Sequence, residues 1–524
     1  MLLPGDSMKM GLILAAFALV GCAPQVAAPL LAVPGKASLG INLAGLADWS
    51  TEIPFVDVFR TSREWISQRE GAGWGQGPKL ELDAHGWPKR LEPGTWAETP
   101  MNTIEGGHYP SGLYTALYDG KGEIAISNAE VKSSAPGKLT FAADAKRGGF
   151  FLQIRRTDPA DPVRNIRVYL PGHGPNTAPG GFNPSLLARW KGVSTVRFMD
   201  WMSTNNSGQT KWADRPKTTD ATWTLKGAPV ETMVDLANRL GADPWFTLPH
   251  LADDEYVREF AKLVKAKLDP ERKVYVEYSN ELWNTMFEQT RYAGQQGMKL
   301  KLADKEWEAG WRYTAQRSVE IFKIWESVFG GKERLVRVLP GFAANDWINN
   351  EILSWKDAAK HADALAIAPY IPFNIGPDNK PPVSEVSGWG LERLFGELRE
   401  KALPESIGFM QKNAAVAKKH GLRLIAYEGG PHLVGVGGGE NDEKMTALFL
   451  KANADPRMGA LMDDYFKGWV QAGGGEFAYF SSVSGWSKWG SWGALQYIDD
   501  DPAKSPKWQA LQRFAASQGQ PLGN

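Results

Sequence analysis

From about residue 180 onward, short apolar runs alternate along the chain with longer segments in which apolar residues recur at helical spacing, as in 230–240 and 256–268. Strands that alternate with helices are typical of parallel βα units, so the pattern predicts an α/β fold. The 524 residues are enough for a (β/α)8 barrel and an additional domain. The predicted strands are 193–199, 244–248, 274–278, 335–339, 364–370, 422–427 and 476–481.

The chain has a different character between residues 76 and 172, where glycine, proline and short alternating runs replace helical spacing. Turn signals at this spacing predict a small β-sandwich, which either binds sugar or has a purely structural role. The sandwich either interrupts the barrel after its first strand or precedes a barrel that begins at Ile166, and we favour the insertion. Its predicted strands are 112–118, 123–126, 138–141, 150–154 and 165–170.

The first residues have the pattern of an export signal. A basic residue precedes an apolar run, 10–20, which is too short to span a bilayer, and Leu19-Val-Gly-Cys22 follows. This pattern resembles a bacterial lipoprotein signal peptide over residues 1–22, in which the cysteine is acylated. Several acyl chains on Cys22 would anchor the protein stably, and Ala23 resembles lipoproteins that are sent to an outer membrane. Residues 23–38, rich in alanine and proline, are expected to form a tether.

The composition excludes one class of partner and favours another. Lys plus Arg and Asp plus Glu both number 59, so the net charge is about zero and no field would draw the chain to nucleic acid. The 22 tryptophans fit a carbohydrate ligand, because aromatic faces serve as platforms for the apolar faces of sugar rings, although tryptophan also fills cores. The sequence contains no P-loop, Cys/His metal cluster or His-Glu-x-x-His motif.

Two of the predicted strands end in a glutamate. Residues 274–278 alternate β-branched and aromatic side chains and break at Ser279-Asn280, so that Glu281 follows the carboxyl end of a strand. Residues 422–427 are a second short apolar run, which ends at Glu428 and two glycines. A helix cap or a surface turn explains either glutamate alone. Together they suit a barrel, because catalytic residues gather where the carboxyl ends of its strands meet.

In this order, Asn280-Glu281 and Glu428 resemble the clan A retaining glycoside hydrolases, the (β/α)8 superfamily of cellulases, mannanases and many β-glycosidases. The resemblance covers roughly residues 180–510, and Glu277 also matches a common pattern of the clan. It implies that Glu281 is the acid/base at the end of strand 4 and that Glu428 is the nucleophile at the end of strand 7. The expected domains are a first βα unit over 39–75, the sandwich over 76–172 and the rest of the catalytic barrel over 173–524.

The resemblance also implies roles for polar residues at the same edge of the barrel. Arg197 matches the clan arginine that bonds the nucleophile, and Tyr370 matches the tyrosine that donates its hydroxyl to it. A structural ion pair and a core tyrosine are the respective alternatives. Asn280 would bond the sugar 2-hydroxyl. His250 follows the third strand, where the clan often places a sugar-binding or acid/base-supporting histidine, and a structural role is equally expected.

Three further residues are candidates for the substrate cleft. Asp200 and Trp201 follow the second strand and are expected either to line the cleft or to lie in a solvated loop. Trp486 lies in a glycine-rich loop, 484–493, and matches the strand-8 tryptophan that floors the cleavage subsite in the clan. The roles of Trp489 and Trp492 in the same loop are left open.

The predicted function is a retaining glycoside hydrolase that cleaves a β-linked poly- or oligosaccharide and needs no metal or organic cofactor. Two carboxyls about 5–5.5 Å apart suit this chemistry, because the charge of one raises the pKa of the other. The alternatives are a lipid-anchored barrel that binds glycans without cutting them and an envelope scaffold whose sandwich recruits a protein. Leu282, where many clan members have proline, and Gly429-Gly430 depart from the clan pattern and leave the sugar and the endo or exo action open.

Overall fold

A computed structural model describes residues 36–523 of the chain. The predicted signal segment 1–22, with Cys22, and most of the predicted tether 23–38 lie outside the described residues. Among the residues that are described, none of the helices combines the length and the apolar character that a membrane span requires.

Eight parallel strands form a closed barrel. The strands are β1 (Ser38–Asn42), β2 (Thr195–Arg197), β3 (Asp243–Leu248), β4 (Val274–Tyr278), β5 (Leu335–Pro340), β6 (Ala364–Ile367), β7 (Arg423–Ala426) and β8 (Glu476–Tyr479). Each strand pairs with the next one, and the barrel closes where β1 pairs with β8, with Ser38 opposite Glu476 and Ile41 opposite Tyr479. The predicted (β/α)8 fold with additional sheets is therefore confirmed.

Helices connect most of the strands, and the helix after β2 shows how they pack. In Val230–Leu240 the buried residues Val230, Met233, Val234 and Ala237 recur at helical spacing, and the helix ends at Gly241, whose φ of +65° suits a glycine C-cap. The helices after it are Asp254–Lys267, Glu288–Lys299, Glu306–Phe329, Asp346–Ser354, Val383–Val386, Leu391–Glu397, Leu403–Lys419, Glu443–Ala454, Pro456–Gln471 and Pro506–Ser517.

Two antiparallel four-stranded sheets lie between β1 and β2 in the chain. Tyr114 and Phe141 of one sheet pack against Phe150 of the other, with ring centroids 5.2 and 5.1 Å apart, so the sheets share a core. β1 is followed only by the 3₁₀ turn Val58–Thr61 before the first sheet begins, and the helix Pro184–Trp190 precedes β2. One sheet has the order Ile66–Arg69, Thr95–Met101, Phe150–Thr157, Gly122–Ser127, and the other has the order Arg164–Tyr169, Gly112–Asp119, Lys138–Ala143, Glu130–Ala135.

The chain continues beyond β6 and β7 into a second pair of parallel strands, Ile371–Ile375 and Pro431–Gly435. The predicted strand 364–370 is therefore interrupted after Ile367, and Tyr370 lies between the barrel strand and this ribbon. Glu428 occupies the equivalent place between β7 and the second strand of the ribbon. The interruption places both side chains at the mouth of the barrel.

Candidate active site

Arg197 ends β2 and is the centre of a hydrogen-bond network at the carboxyl ends of the strands. Its side chain is 0% exposed, and its Nε and Nη2 donate to the two carboxylate oxygens of Glu277 on β4, each at 3.1 Å. Its Nη1 donates to Oε1 of Glu428 at 2.8 Å. Burial lowers the pKa of Arg197, but the charges of Glu277 and Glu428 outweigh burial and raise it above its ordinary value. The guanidinium is therefore a fixed cation between two carboxylates.

The same guanidinium orients two asparagine side chains. Nη1 donates to Oδ1 of Asn42 at the end of β1 at 3.1 Å, and Nη2 donates to Oδ1 of Asn280 at 2.8 Å. Because arginine only donates, both amides turn their oxygens toward it. The Nδ2 group of Asn280 consequently points away, where it donates to Oδ1 of Asn205 at 3.1 Å.

Glu428 is bound on both carboxylate oxygens. Oε1 accepts the bond from Arg197, and Oε2 accepts a bond of 2.9 Å from the hydroxyl of Tyr370. Burial and then the charge of Glu428 raise the pKa of Tyr370, so the phenol stays protonated and remains a donor. The structure thus brings Arg197, Tyr370 and Glu428 together at the mouth of the barrel.

Glu281 lies at a sharp turn after β4. Its φ is +42°, and that of Ser279 is +57°, a backbone region that non-glycine residues adopt rarely. The half-buried carboxyl accepts one bond, from Nδ2 of Asn284 to Oε2 at 2.9 Å. Burial of the carboxyl and the neighbouring charge of Glu428 raise the pKa of Glu281 to about 8. At neutral pH this carboxyl is therefore mainly protonated, and Glu428, which accepts a hydrogen bond from Arg197, lies close enough to influence it.

Asp200 and Trp201, which follow β2, have different environments. Burial and then the charge of Glu428 raise the pKa of Asp200 to about 7, so Asp200 is a third carboxyl near the mouth. Trp201 is 0% exposed, packs against Phe55 and donates from Nε1 to the carbonyl oxygen of Ala44 at 3.1 Å. The prediction that Trp201 lines the cleft is wrong, because its ring belongs to the core between the barrel and its first loop.

His250 follows β3 but lies apart from the network. Its ring packs edge-on against Tyr292, with centroids 5.3 Å apart, and burial lowers its pKa. It lines a separate depression of 630 Å³ together with Tyr292, Tyr313 and Arg317. Over residues 36–523, no hydrogen bond joins the His250 side chain to Arg197 or to either glutamate. The structure thus places His250 where a packing role explains it.

Two tryptophans of the loop after β8 have different surroundings. Trp486 donates from Nε1 to the carbonyl oxygen of Gly493 at 3.2 Å, and the buried ammonium of Lys507 lies 4.3 Å from its ring centroid. The ring centroid of Trp492 instead lies 5.6 Å from that of His432. The ring centroid of His432 lies 5.0 Å from that of Tyr370. Ring contacts through His432 therefore connect Trp492 with the tyrosine that bonds Glu428.

Several residues of the site were not among the candidates from the sequence. Trp283, two residues after Glu281, donates from Nε1 to the hydroxyl of Tyr427 at 3.1 Å and stacks on Phe342 with centroids 3.9 Å apart. Asn42 ends β1, so the strand-end argument that identified Arg197 would also have found it. The other missed residues are Asn205, Asn284 and His432. Within residues 36–523, no group of His, Cys, Asp and Glu side chains could hold a metal ion.

The chain is similar in structure to several solved glycoside hydrolases. A GH51 arabinofuranosidase from Xanthomonas axonopodis pv. citri shares 15% identity at a TM-score of 0.35, over 60% of this chain and 62% of that one. A Bacteroidetes-affiliated GH5 cellulase shares 13% sequence identity with this chain at a TM-score of 0.35. That match covers 63% of this chain and 86% of the cellulase. An endo-β-1,4-mannanase from Thermotoga petrophila shares 11% sequence identity at a TM-score of 0.36. That match covers 63% of this chain and 71% of the mannanase.

This chain thus spans less than two thirds of the length of the arabinofuranosidase. No protein-family model matches the sequence, and no curated protein does. Identities and TM-scores at this level carry no argument about activity, and the barrel is established by its own strand pairing.

Proposed function

We propose that this chain is a retaining glycoside hydrolase that cleaves a β-linked poly- or oligosaccharide. The observation that carries the proposal is the contrast between two glutamates at one barrel mouth. Glu428 accepts hydrogen bonds from Arg197 and Tyr370, whereas burial and the charge of Glu428 raise the pKa of Glu281 to about 8. Double displacement needs one ionised and one protonated carboxyl at the same pH.

In the first step, Glu428 attacks the anomeric carbon and forms a glycosyl ester. Glu281 transfers its proton to the glycosidic oxygen as the bond to the leaving group breaks. The bonds from Arg197 and Tyr370 to the two oxygens of Glu428 orient its carboxylate for in-line attack. Asn280, whose oxygen accepts a bond from Arg197 and whose nitrogen donates to Asn205, would donate its second amide hydrogen to the 2-hydroxyl of the sugar.

In the second step, Glu281 acts as the base toward the water that releases the sugar. The structure supports this change of role on electrostatic grounds. The charge of Glu428 is one cause of the raised pKa of Glu281, and esterification removes that charge. The pKa of Glu281 therefore falls in the intermediate, which leaves the carboxylate ionised when water has to be deprotonated. Release then restores both carboxyls to their starting states.

The proposal is tested by incubating the purified protein with β-glucans, mannans and xylans and measuring new reducing ends. Proton NMR of the first product anomer then decides between retention and inversion. We expect reducing ends from at least one polymer, and a β-anomer as the first product. Binding to a polymer without new reducing ends would favour the alternative of a non-catalytic glycan-binding protein.

The cellular location is a separate proposal. We propose that Cys22, the sole cysteine of the chain, carries acyl chains that anchor the protein to the outer membrane of a bacterium. The support is the order of a short apolar run and the Leu19-Val-Gly-Cys22 sequence. An anchored hydrolase would act on glycans at the cell envelope.

A further inference from the structure

Three tryptophans pack against one another on the surface of the barrel. We call Trp307, Trp311 and Trp347 the tryptophan platform. Their ring centroids are 4.7 Å (Trp307 and Trp311), 5.5 Å (Trp311 and Trp347) and 6.1 Å (Trp307 and Trp347) apart. Trp307 is 46% exposed and Trp347 is 50% exposed. A contiguous apolar patch that stays in water forgoes the free energy of burial, and such patches mark interaction sites.

The platform stands on the same side of the barrel as the two glutamates. In the helix Glu306–Phe329, Tyr313 packs edge-on against Tyr278 at the end of β4, with centroids 6.4 Å apart. At about 1.5 Å per residue, Trp307 lies about 9 Å farther along the helix axis. The helix leads to the start of β5, so its first turn projects beyond the carboxyl ends of the strands. Trp347 lies in the first turn of Asp346–Ser354, which follows the carboxyl end of β5.

Aromatic side chains also connect the platform with the candidate active site. Trp283 lies two residues after Glu281 and stacks on Phe342, with centroids 3.9 Å apart and planes 12° from parallel. Phe342 belongs to the loop 341–345, which leads directly into the helix that carries Trp347. Both stacked rings are half-buried, so part of their surface is accessible. Partly exposed aromatic side chains therefore lie between Glu281 and the tryptophan platform.

We infer that the tryptophan platform binds sugar units of an extended, uncharged polysaccharide at a distance from the bond that is cleaved. This inference rests on the proposed function and further specifies the substrate as a long and uncharged polymer. Indole faces stack on the C–H faces of pyranose rings, and an indole N–H can donate to a sugar hydroxyl. The charges beside the platform are of both signs, since Arg312 pairs with Glu308 and the ammonium of Lys305 lies 5.4 Å from the Trp307 centroid. Such surroundings suit an uncharged polymer better than an acidic one.

Oxidative footprinting of the full chain tests the inference without any substitution. The exposed indoles are oxidised with N-bromosuccinimide, alone and in the presence of hydroxyethyl cellulose, galactomannan or xylan, and oxidation is located by peptide mass spectrometry. Trp74 on the sandwich is 60% exposed and serves as the internal control. We expect at least one polysaccharide to protect Trp307 and Trp347 and to leave Trp74 unchanged. Equal oxidation with and without every polymer, or equal protection of Trp74, would overturn the inference.

Affinity electrophoresis supplies the matched substitutions. In a Glu428→Ala background, which leaves the polymers intact, the double variant Trp307→Ala/Trp347→Ala is compared with Trp74→Ala. We expect the double variant to bind the polymer at least about tenfold more weakly, or about 1.4 kcal/mol, and Trp74→Ala to bind as the parent does. Equal retardation of the two variants overturns the inference. The inference is also overturned if analytical ultracentrifugation shows a dimer for the parent and a monomer for the double variant, because the platform is then an interface between two copies of the chain.

Hydrolysis of an activated aryl glycoside by the unsubstituted protein is followed separately. Retardation that depends on the platform, without any hydrolysis, would refute the proposed function and leave the platform in place. Hydrolysis without such retardation would refute the platform alone.

Discussion

Replacing Asn284 with alanine should move the alkaline limb of the activity profile to higher pH. Nδ2 of Asn284 donates to Oε2 of Glu281 at 2.9 Å. This bond favours the charged carboxylate, so it lowers the pKa of Glu281, whereas burial and the charge of Glu428 raise it to about 8 overall. Removing the donor leaves the two raising contributions in place. The pKa of Glu281 should therefore rise further.

The expected magnitude follows from the strength of one hydrogen bond to a charged group, about 1.5–3 kcal/mol. Glu281 is only half-buried, so water can replace part of the lost bond, and we take the lower end of that range. Because one pKa unit corresponds to about 1.4 kcal/mol, the limb should move by about one pH unit.

The assay is the pH dependence of kcat/KM on an unactivated oligosaccharide, which reports the ionisation of the free enzyme. Glu281 must be protonated to donate to the leaving oxygen, so the rate should fall about tenfold per pH unit above its pKa. Asn350→Ala, which alters an asparagine on the helix Asp346–Ser354, is the matched control and should leave the limb in place. A limb that stays or moves to lower pH in Asn284→Ala would refute the assignment of Glu281 as the acid.

Two other predictions rest on the structure and one on the sequence. Tyr370→Phe removes the 2.9 Å bond to Glu428, and kcat should fall about 10- to 100-fold with an unchanged melting temperature, whereas an unchanged kcat would contradict the role of the hydroxyl. Trp201→Ala leaves a cavity at a fully buried site and should lower the free energy of unfolding, measured in urea, by about 3–5 kcal/mol. Trp489 is 63% exposed, so Trp489→Ala should change the free energy of unfolding by less than about 0.5 kcal/mol. Comparable losses in the two variants would disprove the core position of Trp201. Cys22→Ser should move the protein from the detergent phase to the aqueous phase, and equal partitioning of variant and parent would remove the lipid anchor.

The sequence was informative where strands end and uninformative about the direction of side chains in loops. Arg197, Tyr370 and Glu428 could be predicted together because the carboxyl ends of parallel strands converge at one mouth. Trp201 lies only four residues after Arg197, yet its ring turns into the core, and the alternation that orients strand residues no longer applies there.

The loop after β8 shows the same limit. Its glycines free the backbone from any fixed period, so the sequence alone did not distinguish Trp486, which packs beside Lys507, from Trp492, which packs beside His432. The positive φ of Glu281 is likewise set by the packing around the turn after β4 and not by local preference. Long-range contacts decided each of these positions.

The central claim is that Glu428 is the nucleophile and Glu281 the acid/base, and the configuration of azide products tests it most directly. Glu281→Ala and Glu428→Ala are each given an activated aryl β-glycoside with sodium azide, and the glycosyl azide is identified by NMR. Glu281→Ala should form the glycosyl ester and yield the β-azide, because azide needs no base. Glu428→Ala should yield the α-azide by direct attack. The same configuration from both variants, or wild-type hydrolysis by either one without azide, would contradict the account.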